Sequence, residues 1–120
     1  FRKAKTIGQD IEKANGYDHN FVLNKSSGSI LSFAGSVYDP ESGRCMDAYT
    51  TEPGMQFYTG NFLDGSLKDR NGNVIKKHFG FCWETQHFPD SPNQTSFPST
   101  ILNHGEHYHQ LTVYKFGLKN

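Results

Sequence analysis

Net charge is the first thing this chain lacks: 12 Lys and Arg balance 12 Asp and Glu over 120 residues. A neutral chain gives no electrostatic case for nucleic acid or an anionic membrane as partner, because both are bound through an excess of basic side chains. No apolar run approaches the length of a membrane-spanning helix, and no secretory signal pattern is visible. Cysteine is scarce. Cys45 and Cys82 are the two present, with the spacing of neither a metal knuckle nor a redox Cys-x-x-Cys pair. They read as reduced, mostly buried thiols of a cytosolic protein rather than as a disulfide. Apolar residues are few as well, at 34%, with a mean hydropathy of -0.70. Both are low for a self-sufficient core. The chain also lacks a starting Met, which suggests a fragment or a processed product.

What is present is aromatic: 10 Phe and 6 Tyr carry much of the hydrophobicity. Such composition suits β-sheets, and it suits sugar binding, where rings lie on the apolar faces of pyranoses. The length allows one domain or less. Residues 1–15 are polar and read as a loop, with at most a helical turn over Asp10–Ala14 before the Asn15-Gly16 stop signal. Strands are predicted over His19–Asn24 and Ser29–Tyr38, around a turn at Ser26-Ser27-Gly28. In the second of these, Ile30, Leu31, Phe33 and Val37 are the expected packing residues. Asp39-Pro40-Glu41-Ser42-Gly43 is a turn, since Pro fixes φ and Gly permits positive φ. Arg44–Thr51 is its partner, which makes residues 29–51 a hairpin. Met55–Thr59 reads as a strand, Gly60–Gly72 as a loop, Phe79–Gln86 as a strand and Pro89–Pro98 as an irregular loop. Ile101-Leu102 reads as a brief strand and His107–Gly117 as the last one. Many short strands with regular turn signals predict an all-β sandwich.

One carboxylate stands out. Glu84 follows Phe79, Phe81, Cys82 and Trp83 and precedes Phe88. Buried in such company, a carboxylate loses hydration and must find partners or line a polar pocket. A group in that setting is a natural general base. The alternative is a strand carboxylate that points outward to water.

The segment Phe81-Cys82-Trp83-Glu84-Thr85-Gln86 resembles the C-terminal signature of the aldose 1-epimerases, the galactose mutarotases. Three further blocks agree with it in order. They are Gly16-Tyr17-Asp18-His19-Asn20-Phe21, Pro53-Gly54-Met55-Gln56-Phe57-Tyr58-Thr59-Gly60-Asn61-Phe62-Leu63, and Gly105-Glu106-His107-Tyr108 ahead of a closing strand. The resemblance implies a large antiparallel β-sandwich of which this chain is roughly the last third. The upstream part of the same enzyme is then its partner. It implies interconversion of the α and β anomers of a free hexose, with no metal, nucleotide or redox cofactor. It places Glu84 on the general base, Asp18 on a substrate-binding carboxylate and Gln56 on an amide that contacts sugar hydroxyls. Coordinates should then bring Glu84, Asp18 and Gln56 to one concave face.

Each assignment has a plainer rival: a structural strand carboxylate for Glu84, an Asx turn for Asp18, a backbone partner for Gln56. The family's acid histidine, with a second histidine and an arginine, lies upstream, and none of the six histidines here falls on those positions. Trp83 stands where a smaller apolar residue is usual and His104 where proline is common. Two other readings share these motifs: a hexose-binding homologue without turnover, and an epimerase of phosphorylated sugars. The last would call for a basic clamp, and no Arg or Lys flanks Glu84 or Gln56 in sequence. His107 and His109 would share a face on a strand and form a workable pair of zinc or nickel ligands. Exposed histidines on a final strand are the preferred reading of that pair.

Overall fold

Aromatic rings organise one half of the chain, in a computed structural model that describes residues 1–25 and 30–119. Among the described residues eight strands follow one another: β1 (Asp18–Val22), β2 (Ser32–Tyr38), β3 (Arg44–Thr50), β4 (Gly54–Tyr58), β5 (Asp64–Lys68), β6 (Val74–Lys76), β7 (Cys82–Gln86) and β8 (Thr112–Leu118). Short 3-10 helices lie at Ile7–Asp10 and Ser91–Asn93. The sheets have the orders β1-β4-β7, β2-β3-β8 and β5-β6. The all-β class is therefore as expected. The chain divides into two units, Phe1–His19 with Gln56–Glu84, and Asn20–Met55 with Thr85–Asn120.

In the first unit Phe57 is the hub. It is almost fully buried and meets Phe1 at 5.4 Å, Tyr17 at 5.3 Å, Phe81 at 5.8 Å and Trp83 at 6.5 Å between ring centres. Such pairs add about 0.5–1.5 kcal/mol each beyond area burial, which is how a chain with few aliphatics builds a core. The β5-β6 hairpin emerges from the stretch read as loop. Asp64-Gly65-Ser66-Leu67-Lys68 has no β-branched or aromatic residue, so propensity is silent there. Turn chemistry makes the hairpin instead: Asp69 Oδ1 accepts from the amides of Asn71 and Asn73 at 2.8 and 2.9 Å.

In the second unit the expected hairpin is present. β2 and β3 pair antiparallel, and β8 pairs antiparallel with β3 on its other side, with Met46 opposite Phe116. Ala48 and Thr50 on the central strand are fully buried. Both flanking strands are edges, and the packing expected of β2 is not found. It starts at Ser32, Ile30, Leu31 and Phe33 are exposed, and Val37 alone of the four is half-buried. Ile101-Leu102 is not a strand, and the last strand begins at Thr112 rather than His107. The predicted turn at Ser26-Ser27-Gly28 lies outside the described residues. Asp10–Ala14 keeps one helical bond, Ala14 N–H to Asp10 O at 3.2 Å, and the 3-10 helix precedes it. The thiols are free as expected but not buried: Cys45 is half-buried and Cys82 exposed.

Candidate functional site

Strand alternation puts Asp18, Gln56 and Glu84 on one side. Tyr17 precedes Asp18, Phe57 follows Gln56 and Trp83 precedes Glu84, so each candidate has a core aromatic as neighbour. Those three rings belong to the buried layer, with Tyr17 stacked on Phe57 and Trp83 edge-on to it. Successive side chains of a strand face opposite ways. The three polar groups therefore lie opposite the aromatic layer, on neighbouring strands in the order β1-β4-β7. With strands about 4.8 Å apart, β1 and β7 flank β4 at about 10 Å from each other.

The position of Asp18 is fixed by its predecessors. Gly16 has φ 82°, a left-handed conformation, and a Cβ there would collide with the Asn61 amide. That amide donates to Tyr17 O at 2.9 Å. Thr59 clamps the same residue, its backbone N–H donating to Tyr17 O at 3.0 Å and its hydroxyl oxygen accepting from Tyr17 N–H at 2.9 Å. Asp18 thus starts its strand from a rigid corner.

Gln56 donates from Nε2 to Asp18 Oδ1 at 2.7 Å. A carboxylate only accepts, so this contact sets the orientation of the amide. Its partner is the second candidate and not a backbone group. The Gln56 carbonyl oxygen is buried and has no hydrogen-bond partner, a condition that ordinarily costs about 1–3 kcal/mol. Glu84 is exposed. The apolar residues beside it in sequence face the other way and do not desolvate it, so the expected loss of hydration is absent within this chain.

A cavity of about 380 Å³ holds Asp18 together with Asn61, Lys77 and His19. Lys77 is a basic group that sequence proximity to Asp18 did not suggest, because the two are far apart along the chain. His19 was expected on the face opposite Asp18, but it lines the same cavity: its Nδ1 accepts from the Asp18 N–H at 3.0 Å, and its ring is 6.2 Å from that of Tyr17. His107 and His109 precede β8, so they lack the strand that would have aligned them. Among the described residues no group of three His, Cys, Asp or Glu side chains is arranged to hold a metal ion.

Sequence reading also missed Glu52. It is 4% exposed, its carboxylate 2.7 Å from His87 Nδ1 and within 3.3 Å of the Tyr108 hydroxyl. An acidic residue between Thr51 and Pro53 looks like an ordinary turn residue, and its partners are 35 and 56 positions away. No local pattern could have found it.

The comparisons with known proteins bear on the family and the fold. The chain is 48% identical to human galactose mutarotase over 119 residues and 36% identical to the aldose 1-epimerase of Escherichia coli K12 over 124. These alignments take in 98% and 97% of the chain, but it spans only about a third of either relative, 34% and 35%. The solved structure of a GalM/aldose epimerase homologue from C. elegans superposes with a TM-score of 0.78 at 28% identity. That match covers 88% of this chain and 31% of the other. A family model described as aldose 1-epimerase matches residues 1–115. With the motif blocks in order and the fold in agreement, the chain belongs to the aldose 1-epimerase family.

Proposed function

We propose that this chain supplies the sugar-binding groups and the general base of an aldose 1-epimerase acting on a free hexose such as galactose or glucose. Glu84 takes the proton of the anomeric hydroxyl while an acid protonates the ring oxygen. The ring opens, the C1–C2 bond rotates, and the ring closes on the other face. The acid is a histidine of the upstream part of the enzyme. Asp18 accepts hydrogen bonds from sugar hydroxyls. The unpaired Gln56 carbonyl accepts another, while its NH2 group stays on Asp18. The reaction requires no cofactor, only two titratable groups across the hemiacetal. Its proposed setting is the cytosol, where free thiols such as Cys45 and Cys82 stay reduced.

The observation that carries this reading is the Asp18–Gln56 pair, which leaves a buried acceptor open on the side of the sheet that Glu84 shares. The test is polarimetry of freshly dissolved α-galactose with the protein as its gene encodes it. Glu84→Gln keeps shape and hydrogen bonding but takes up no proton. It should lower the rate at least about 10²-fold while the sugar still binds. A variant within about threefold of the wild-type rate, under about 1 kcal/mol of barrier, removes Glu84 from the mechanism.

A further inference from the structure

The buried Glu52–His87 pair lies where two site-bearing strands enter and leave. Glu52 stands two residues before β4, which carries Gln56. His87 follows the end of β7, which carries Glu84. Burying a carboxylate is expensive unless it is paired, and the Glu52 carboxylate has two neighbours. His87 Nδ1 is 2.7 Å from Oε2, a close approach without hydrogen-bond alignment, and the Tyr108 hydroxyl donates to Oε1 at 3.3 Å; the backbone N–H of Glu52 donates to Thr50 Oγ1 at 3.0 Å. The approach of Lys25 to Thr50 O, at 3.0 Å, adds a cation to the same neighbourhood. The carboxylate opposes the loss of charge that burial favours at that ammonium.

A second link runs in parallel. Thr50 Oγ1 is 3.1 Å from Thr112 Oγ1, which is 2.7 Å from Thr85 Oγ1. Thr85 is the residue after Glu84, and by alternation its side chain faces away from the carboxylate. The last residues of β7 are therefore held from behind by a hydroxyl relay at Thr85 and followed by the contact of His87 with the Glu52 carboxylate. Both lead back to residues 50–52, the connection into β4. This is more polar machinery than a strand exit requires, and none of it has a role in the proton transfers above.

We propose that Glu52 and His87 are positioning residues: their buried pair fixes the exit of β7, and with it the carboxylate of Glu84, so that losing either lowers turnover without weakening sugar binding. The proposal rests on Glu84 being the base. Displacements of about 1 Å at a reacting group reduce rates by up to about 10²-fold, which sets the scale of the effect.

The experiment uses the protein as its gene encodes it. His87→Ala and Glu52→Ala should each lower kcat about tenfold with KM for galactose within about twofold. His87→Asn returns an N–H donor near the position of Nδ1 and should restore most of kcat. Hydrogen exchange at the amides of Thr85 and Gln86 should quicken in the alanine variants and not in His87→Asn. A variant that merely loosened the fold would raise KM as well and would not be rescued by Asn, and that outcome overturns the proposal. So does wild-type kcat, or unchanged exchange, in folded alanine variants. If these do not fold, Glu52→Gln decides: it keeps the volume and removes the charge, and wild-type kcat in it overturns the proposal. Glu84→Gln is run alongside. If it is inactive while the Glu52 and His87 variants are not, only the positioning role falls. If it retains the wild-type rate, the assignment of the base falls first.

Discussion

Asp18 and Gln56 divide the work of holding a sugar between a charge and an amide, and substitution can separate them. Asp18→Asn keeps the volume but leaves the Gln56 NH2 group facing a mixed donor and acceptor. It should raise KM for galactose more than tenfold, since hydrogen bonds to a charged group contribute about 1.5–3 kcal/mol. Gln56→Ala should raise KM less and also remove the unpaired buried carbonyl, so the folded protein should gain stability in urea or lose none. A wild-type KM in both variants would contradict the assignment. At Asp10 the relevant property is pH. Lys5 at 2.6 Å and Lys13 at 2.9 Å hold its carboxyl down at about 2, against an ordinary 3.8. The folded value is the lower one, so the stabilisation is present above about pH 4 and is lost as pH falls toward 2. Lys5 also lies over the Phe1 ring at 4.6 Å, and Phe1 packs on Tyr17 and Phe57. Asp10→Asn should therefore lower the melting temperature slightly near pH 6, and the difference from wild type should close by about pH 2.

Strand β4 is the element on which most of the site depends, and its first residue has no room to grow. A Cβ on Gly54 would stand 2.8 Å from Asn20 Oδ1 and 2.9 Å from Phe88 Cδ1. Gly54→Ala should destabilise by about 1–3 kcal/mol, the usual penalty for overpacking. Gly80→Ala is the matched control. Nothing lies within 4 Å of a Cβ there and its φ is ordinary, so its effect should stay within about 0.5 kcal/mol. Urea denaturation of both variants checks the pair, and equal midpoints would show that the entry to β4 is more yielding than its contacts indicate. The β5-β6 hairpin is a contrasting element. Its first strand lacks propensity, its second has Val74 and Ile75, and the Asp69 turn joins the two.

At the scale of the whole molecule, apolar surface is the governing feature. On β8 the side chains of Tyr114, Phe116 and Leu118 fall on one face, and all three are exposed, Phe116 by 74%. β8 is also an edge, with β3 on one side only. An exposed apolar edge strand invites pairing with another chain, and zero net charge provides no repulsion to oppose it. This chain on its own should therefore self-associate at micromolar concentration, as read by sedimentation velocity, and Phe116→Lys should reduce that association. A monomer with a reversible, concentration-independent melting transition would contradict the expectation.

The sequence by itself determined the class of fold, the β2-β3 hairpin and the corner at Gly16, and it nominated the residues of the candidate site. These are set by nearest neighbours: turn residues, alternation and short ordered blocks leave their mark within a few positions. Which way Glu84 faces was left open by the sequence and decided by the structure, where Trp83 joins the ring layer and Glu84 is exposed. Only the tertiary structure decided what each of these residues meets. Phe33 looks like core in sequence and is exposed, its ring meeting Tyr49 on the neighbouring strand. Glu52 looks like a turn residue and is buried because His87, Tyr108 and Thr50 gather round it. The bond from Gln56 to Asp18 spans 38 residues. Burial and pairing across such separations follow from which strand lies beside which, and no local pattern encodes that.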